Sequence, residues 1–379
     1  MSTALTTDAT AHKPSTELTS NRSTTRIHWI DIAKGIGIIL VSFGHIRNGD
    51  GQSVWLPALD TPINFIYLFH MPLFFFLGGL TFSSRRSFPD FLKRKAQTLL
   101  IPYYVFSLYF LAKPLVTLIA PGIASGLQAN HDYTSNIWMQ FYDVLINGSG
   151  LWFLWAYFIG ELIAYPLDRK FTTQYQYVGS GLALIAVSLT LSTLFPNVIL
   201  PFRIFSGSGM NGLEVAGFIL LGIACKKALR SPIHRAATFG FFVVFTAVFV
   251  TVAVIGLSME STAGRAVLDA LAMFAGVAAA VFLSKAITHN SVLEYIGRHS
   301  LSFYVVNALT LNVGKMVFFR VLHIDGAHAS IFMQWVWGIL LTIFCLALLA
   351  AEDILIRAFI PWSLGMKRKK SLRTETDTI

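Results

Sequence analysis

The chain is short of charge and of cysteine. Only 13% of its 379 residues are Asp, Glu, Lys or Arg, against 55% hydrophobic, and mean hydropathy is +0.63, which excludes a soluble globular protein of this length. The two cysteines, Cys225 and Cys345, lie in or beside apolar runs without metal or redox spacing, so neither a disulfide framework nor thiol chemistry is implied. A Walker-type Gly-rich loop, a Ser nucleophile elbow and a zinc-binding His-Glu-x-x-His pattern are all missing. Those enzyme classes drop out, and no metal is expected. No internal repeat relates the two halves, which weakens a transporter built on inverted repeats.

What is present is a series of apolar segments near 29–46, 63–82, 98–120, 151–167, 177–195, 212–228, 236–257, 267–288, 300–320 and 331–360. They predict an all-α polytopic membrane protein of about ten transmembrane helices in the lipid bilayer. Residues 1–25, rich in Ser and Thr with His12-Lys13-Pro14 where a signal peptide needs an apolar core, read as a disordered tail ahead of an uncleaved signal-anchor. Residues 26–362 form one integral membrane domain, and 363–379 a basic tail.

The net charge of +10 does not point to nucleic acid, because the basic residues cluster in short connections. One set of connections and both tails hold Arg22, Arg26, Arg85, Arg86, Lys93, Arg94, Lys95, Arg169, Lys170, Lys226, Lys227, Arg230, Arg235, Lys285, Arg298 and Lys367-Arg368-Lys369-Lys370. The opposite set holds only Arg47, Arg203, Arg265 and Arg320. By the positive-inside rule both termini are cytoplasmic. The long outer connection, 121–150, carries His131, Asp132, Asp143 and Asn147 and is either a cap over a site or a passive loop.

Ionisable groups inside spans need a reason to be there. Lys34 and His45 share the first helix, eleven residues apart, so they project from nearly one face with roughly 16 Å of depth between them. Asp31, three residues before Lys34, is placed to pair with its ammonium. The alternative for Asp31 and Lys34 is snorkelling from a helix end, which leaves His45 unexplained. His70, in Phe69-His70-Met71-Pro72, sits at a depth comparable with His45. It is either a general base or partner of His45, or a packed imidazole satisfied by a carbonyl that Pro72 frees. Arg85-Arg86 and Lys93-Arg94-Lys95 suit an anionic cofactor such as a nucleotide phosphate, or simply obey the charge rule. Glu161 and Glu214 need a polar interior or a proton, Asn211 can help line a vestibule, and Trp152 and Trp155 read as interfacial anchors.

Taken in order, Lys34-x10-His45, Phe69-His70-Met71-Pro72, the basic stretch before Pro102-Tyr103, Leu151-Trp152-Phe153-Leu154 and Leu293-Glu-Tyr-Ile-Gly-Arg-His-Ser-Leu-Ser-Phe-Tyr304 resemble the membrane acyltransferase 3 family. Within it the likeness is to the fucose 4-O-acetylase-like branch. The resemblance implies a bacterial inner-membrane O-acyltransferase that moves an acyl group, usually acetyl from acetyl-CoA, to a sugar hydroxyl of a surface polysaccharide, oligosaccharide or glycolipid, with glycan assembly machinery as partner. It also implies that His45 is the essential helix-1 histidine, Lys34 its basic companion, and Arg94 with its basic neighbours the donor-associated stretch. His70, Asp31 and Glu161 complete the candidate catalytic set, and Lys34, Arg85, Arg86, Lys93 and Arg94 the candidate donor-binding set. The chain departs from the family at Gly78-Gly79, where Ser-Gly is frequent, at Gln97, where a second Arg is common, and at Asn307, where a His is frequent. The rival readings are a transporter or flippase using Asp31, Lys34, His45, His70 and Glu161 as a substrate or proton path, and a structural subunit of a glycan assembly complex.

Overall fold

The computed structural model describes residues 26–47, 53–119, 136–207, 209–259 and 261–366. The Ser/Thr-rich segment 1–25, His131 and Asp132 of the long connection, and the basic run from Lys367 lie outside the described residues. Fourteen α-helices occur among the described residues: α1 His28–Gly44, α2 Asp60–Thr81, α3 Phe88–Lys95, α4 Ile101–Ser107, α5 Ala112–Ile119, α6 Ile137–Leu145, α7 Trp152–Lys170, α8 Gln174–Leu194, α9 Gly212–Arg230, α10 Arg235–Leu257, α11 Thr262–Ala286, α12 Ser291–Arg298, α13 Ser300–Lys315 and α14 Ile331–Phe359. The only β feature among them is an isolated bridge between Ile199 and Ser206.

Among the described residues, six helical stretches are long and apolar enough to cross a membrane: α2 with its lead-in turn, α8, α10, α11, α13 with the turn that follows it, and α14. The other expected spans differ for local reasons. α1 has 17 residues and contains Asp31 and Lys34, and α7 and α9 each end in charged residues that belong to the same helix. The segment expected as one helix over 98–120 is broken. A π-turn over Ala96–Leu100 follows α3, Pro102 opens α4, and a 3-10 turn over Leu108–Leu111 precedes α5. Proline has no N–H to give to the preceding turn, so the ladder is re-formed with a wider register there.

Polar residues at the helix starts fix where several of these elements begin. Ser87 accepts a bond from the Asp90 amide, Asn211 from the Leu213 and Glu214 amides, and Thr173 with Gln176 forms a reciprocal cap on α8. α9 is the centre of one half of the bundle, packed by α2, α7 and α8, whereas α1 is gripped by α2, α11 and α12. Lipid offers apolar side chains no incentive to hide, so close approach of backbones has to supply helix association. Gly79 of α2 and Gly222 of α9 meet face to face: a Cβ on Gly79 would stand 2.1 Å from the Ile219 carbonyl oxygen, and one on Gly222 2.2 Å from that of Phe76. Gly79→Val therefore forces the two helices apart. Its expected cost is at least about 1–3 kcal/mol, seen as a lower unfolding temperature in detergent, with a similar fall for Gly222→Val.

One expectation is corrected. Trp155 is not an interfacial anchor: it is 6% exposed and packs against Phe158, Phe202 and Tyr103, because α7 runs through the bundle rather than along its rim. Within the connection 121–150, which the sequence leaves open as a cap or a passive loop, α6 forms behind an Asn136 cap.

Candidate functional site

α1 ends at Gly44, and His45 is its C-terminal cap residue, so His45 stands exposed at a helix end and not within a turn of the span. Its Nδ1–H donates to the Val41 carbonyl at 2.8 Å. His70, buried in α2, repeats this arrangement, donating from Nδ1 to the Ile66 carbonyl at 2.8 Å. In each neutral imidazole Nε2 is then the basic nitrogen. Tyr67 stands between them. Its ring is edge-on to His45 at 6.1 Å and stacked on His70 at 5.1 Å, and its hydroxyl donates to the Gly44 carbonyl at 2.9 Å. One aromatic ring thus touches both histidines.

The surroundings of this pair are positively charged and hydrogen-bonded. The Arg47 guanidinium lies 4.9 Å from the centre of the Tyr67 ring and donates to Asn64 Oδ1 at 2.6 Å and to the Asp60 carbonyl at 3.2 Å. Lys315 Nζ donates to the Arg47 carbonyl at 3.0 Å. Ser42, three residues before His45, donates to Asn307 Oδ1 at 2.8 Å. Asn307, where the family often has His, thus ties α13 to α1. Gly78, at another departure, has no room for a hydroxyl-bearing Cβ, which would fall 2.0 Å from the Tyr157 hydroxyl oxygen.

At the opposite end of α1 the expected Asp31–Lys34 pair does not form. Asp31 accepts from Arg26 Nε at 2.5 Å, because Arg26 precedes the helix and can fold back over its first turn. Lys34 makes no hydrogen bond or ion pair with any described residue and is half-buried.

Arg85, Arg86, Lys93 and Arg94 are exposed. Lys95 differs from these four, because the end of α3 turns it inward onto Glu161 at 2.5 Å. Glu161 is 2% exposed, and its Oε2 has no hydrogen-bond partner. The candidate catalytic carboxylate is therefore held by a cation of the basic cluster and lies apart from the histidine contacts described above. Beside Lys93, a groove of about 480 Å³ runs along the π-turn, lined by Ala96, Gln97, Leu100, Ile101, Tyr104 and Val105. Several basic residues bond to backbone carbonyls of neighbouring helices: Lys226 donates to the Phe82 carbonyl, Arg230 to Leu80 and Lys285 to Leu229, while Tyr165 joins Arg169 to the Arg86 carbonyl. Glu214 lies buried in the first turn of α9, and its helix cap Asn211 donates to Ser188 at 2.8 Å.

Sequence reasoning missed a polar knot around Asp353 of α14, which is 1% exposed. It accepts from Arg357 Nε at 2.6 Å, from Tyr295 at 3.2 Å, and from His299 and Ser302. It also missed Tyr67 and Arg47. A carboxylate in an apolar helix was a usable signal for Asp353, and the three-residue spacing from His70 was one for Tyr67. Cys225 and Cys345 are free thiols, as expected.

An all-helical domain with six stretches of membrane-spanning length among the described residues defines an integral membrane protein. Residues 27–351 match the acyltransferase domain of the acyltransferase 3 family, and the chain belongs to that family. It is an acyltransferase of the membrane. No curated protein and no solved structure matches the chain.

Proposed function

We propose that the protein transfers an acyl group, acetyl in the first instance, from cytoplasmic acyl-CoA to a sugar hydroxyl of a surface polysaccharide, oligosaccharide or glycolipid. In this reading it belongs to the fucose 4-O-acetylase-like branch and crosses the bacterial inner membrane ten times with both termini in the cytoplasm. The observation that carries the reading is the His45–Tyr67–His70 array, in which each Nδ1–H is fixed by the carbonyl four residues back. Fixing Nδ1 presets the tautomer that leaves Nε2 basic.

A sugar hydroxyl has a pKa far above neutrality, so attack on a thioester carbonyl needs a base as the new C–O bond forms. His45 Nε2 takes that proton. The C–S bond then breaks, and the imidazolium returns the proton to the departing CoA thiolate. His70, through Tyr67, positions His45. Arg47 supplies positive charge near the developing oxyanion. On the donor side Lys34, Arg85, Arg86, Lys93 and Arg94 meet the CoA phosphates, Asp31 holds Arg26 at the mouth of α1, and Glu161 anchors the basic connection through Lys95. Surface glycans from cells lacking the protein test this reading. By NMR or mass spectrometry they are expected to have lost an O-acyl substituent present in wild-type cells, and unchanged O-acylation contradicts it.

A further inference from the structure

We propose that His28, His289 and Glu294 form a binding site for a divalent transition-metal ion, Zn²⁺ by the chemistry of its donors, which clips the start of α1 to α12. The three residues come from two distant parts of the chain. His28 opens α1, His289 precedes α12, and Glu294 lies within α12. One ligand atom from each falls within 4.8 Å of the others. His28 Nδ1 is 3.0 Å from Glu294 Oε2, and His289 Nδ1 is 2.7 Å from Oε1. The two imidazole rings lie 6.1 Å apart, edge to face.

Hydrogen bonding leaves part of this arrangement unexplained. Glu294 is 5% exposed, and its Oε1 has no hydrogen-bond partner although His289 Nδ1 is 2.7 Å away. A buried carboxylate oxygen without a hydrogen-bond partner, beside imidazole nitrogens from two separate segments, is an arrangement that one shared cation would satisfy. Two imidazole nitrogens and a carboxylate are a donor set that zinc accepts at about 2.0–2.2 Å, so tetrahedral ligands stand roughly 3.3 Å from one another. Small side-chain rotations reach that spacing from the separations observed. His28 and His289 are exposed, which gives an ion an entry path and leaves its fourth position to water. Arg26, whose charge also acts on Glu294, is paired with Asp31.

The position gives the clip a consequence. α1 and α12 touch backbone to backbone one turn further on, where a Cβ on Gly35 would stand 2.2 Å from the Leu293 carbonyl oxygen and one on Gly297 1.8 Å from that of Asp31. An ion at His28–His289–Glu294 closes the open end of this contact and fixes the helix that bears Lys34 and His45.

The test uses the full-length protein, purified without a histidine tag in detergent, stripped with chelator and titrated with ZnCl₂. The expected result is one Zn²⁺ per chain at micromolar concentration, with a rise in unfolding temperature. Combined His28→Ala and His289→Ala substitutions are expected to weaken binding at least tenfold and to remove the rise, while the metal-free unfolding temperature stays at the wild-type value. If the double variant does not fold, His289→Ala alone, at an exposed residue before α12, is expected to show the same tenfold loss. Wild-type protein that binds no stoichiometric Zn²⁺, or a variant that binds it as tightly as wild type, overturns the proposal.

Discussion

Protein carrying His45→Ala is expected to fold and bind acyl-CoA as wild type does, yet to transfer acyl groups about 10²–10⁴-fold more slowly, the usual contribution of a positioned general base. Folding is spared because His45 is exposed at the end of α1 and its ring bonds to the carbonyl of its own preceding turn. The loss falls on kcat, since the imidazole acts when the hydroxyl is deprotonated and not when either substrate binds. A His70→Gln substitution should cost less. Its side chain can still fill the buried site, while the stacked contact that orients Tyr67 against His45 is weakened. Rates measured at saturating donor for both variants, beside gel-filtration profiles, separate catalysis from folding.

The second large effect is structural. Asp353→Ala removes the acceptor shared by Tyr295, His299, Ser302 and Arg357 and leaves the Arg357 charge without its carboxylate at the edge of the bundle. Breaking a buried ion pair from one side costs about 3–5 kcal/mol; partial exposure of Arg357 and His299 sets the expectation at the lower end, about 3 kcal/mol. The knot joins α12, α13 and α14, so its loss loosens three helices together. The observable is a fall in unfolding temperature several times larger than that of Ser302→Ala, which removes a single donor. Equal effects of the two substitutions would contradict the shared-acceptor reading.

The apolar segments were legible because lipid-facing helices must be apolar along most of their length, and most helices fall within a few residues of the expected ranges. His45 and His70 stood out through the cost of a polar ring among Ile, Leu and Phe. Tyr67 did not, since tyrosine is ordinary at membrane depth and its value depends on touching both histidines at once. Asp353 carried the same cost signal as Glu161 and was overlooked. The Lys95–Glu161 pair was out of reach, because the π-turn that ends α3 decides which of three adjacent basic residues points inward. Asp31 went to Arg26 and not Lys34 because an arginine ahead of the helix is free to fold back, whereas Lys34 is committed to the bundle side of α1. Trp155 was misjudged for a related reason: composition marks a tryptophan as interfacial, but only packing shows that α7 carries it inside.

The most direct test of acyl transfer against transport is a count of products. Purified protein in proteoliposomes, given radiolabelled acetyl-CoA and a glycan acceptor, is expected to release free CoA and place label on the acceptor in equal amounts, and to do neither when His45 is replaced by Ala. Acceptor that crosses the membrane unlabelled, with no CoA released, would contradict the account.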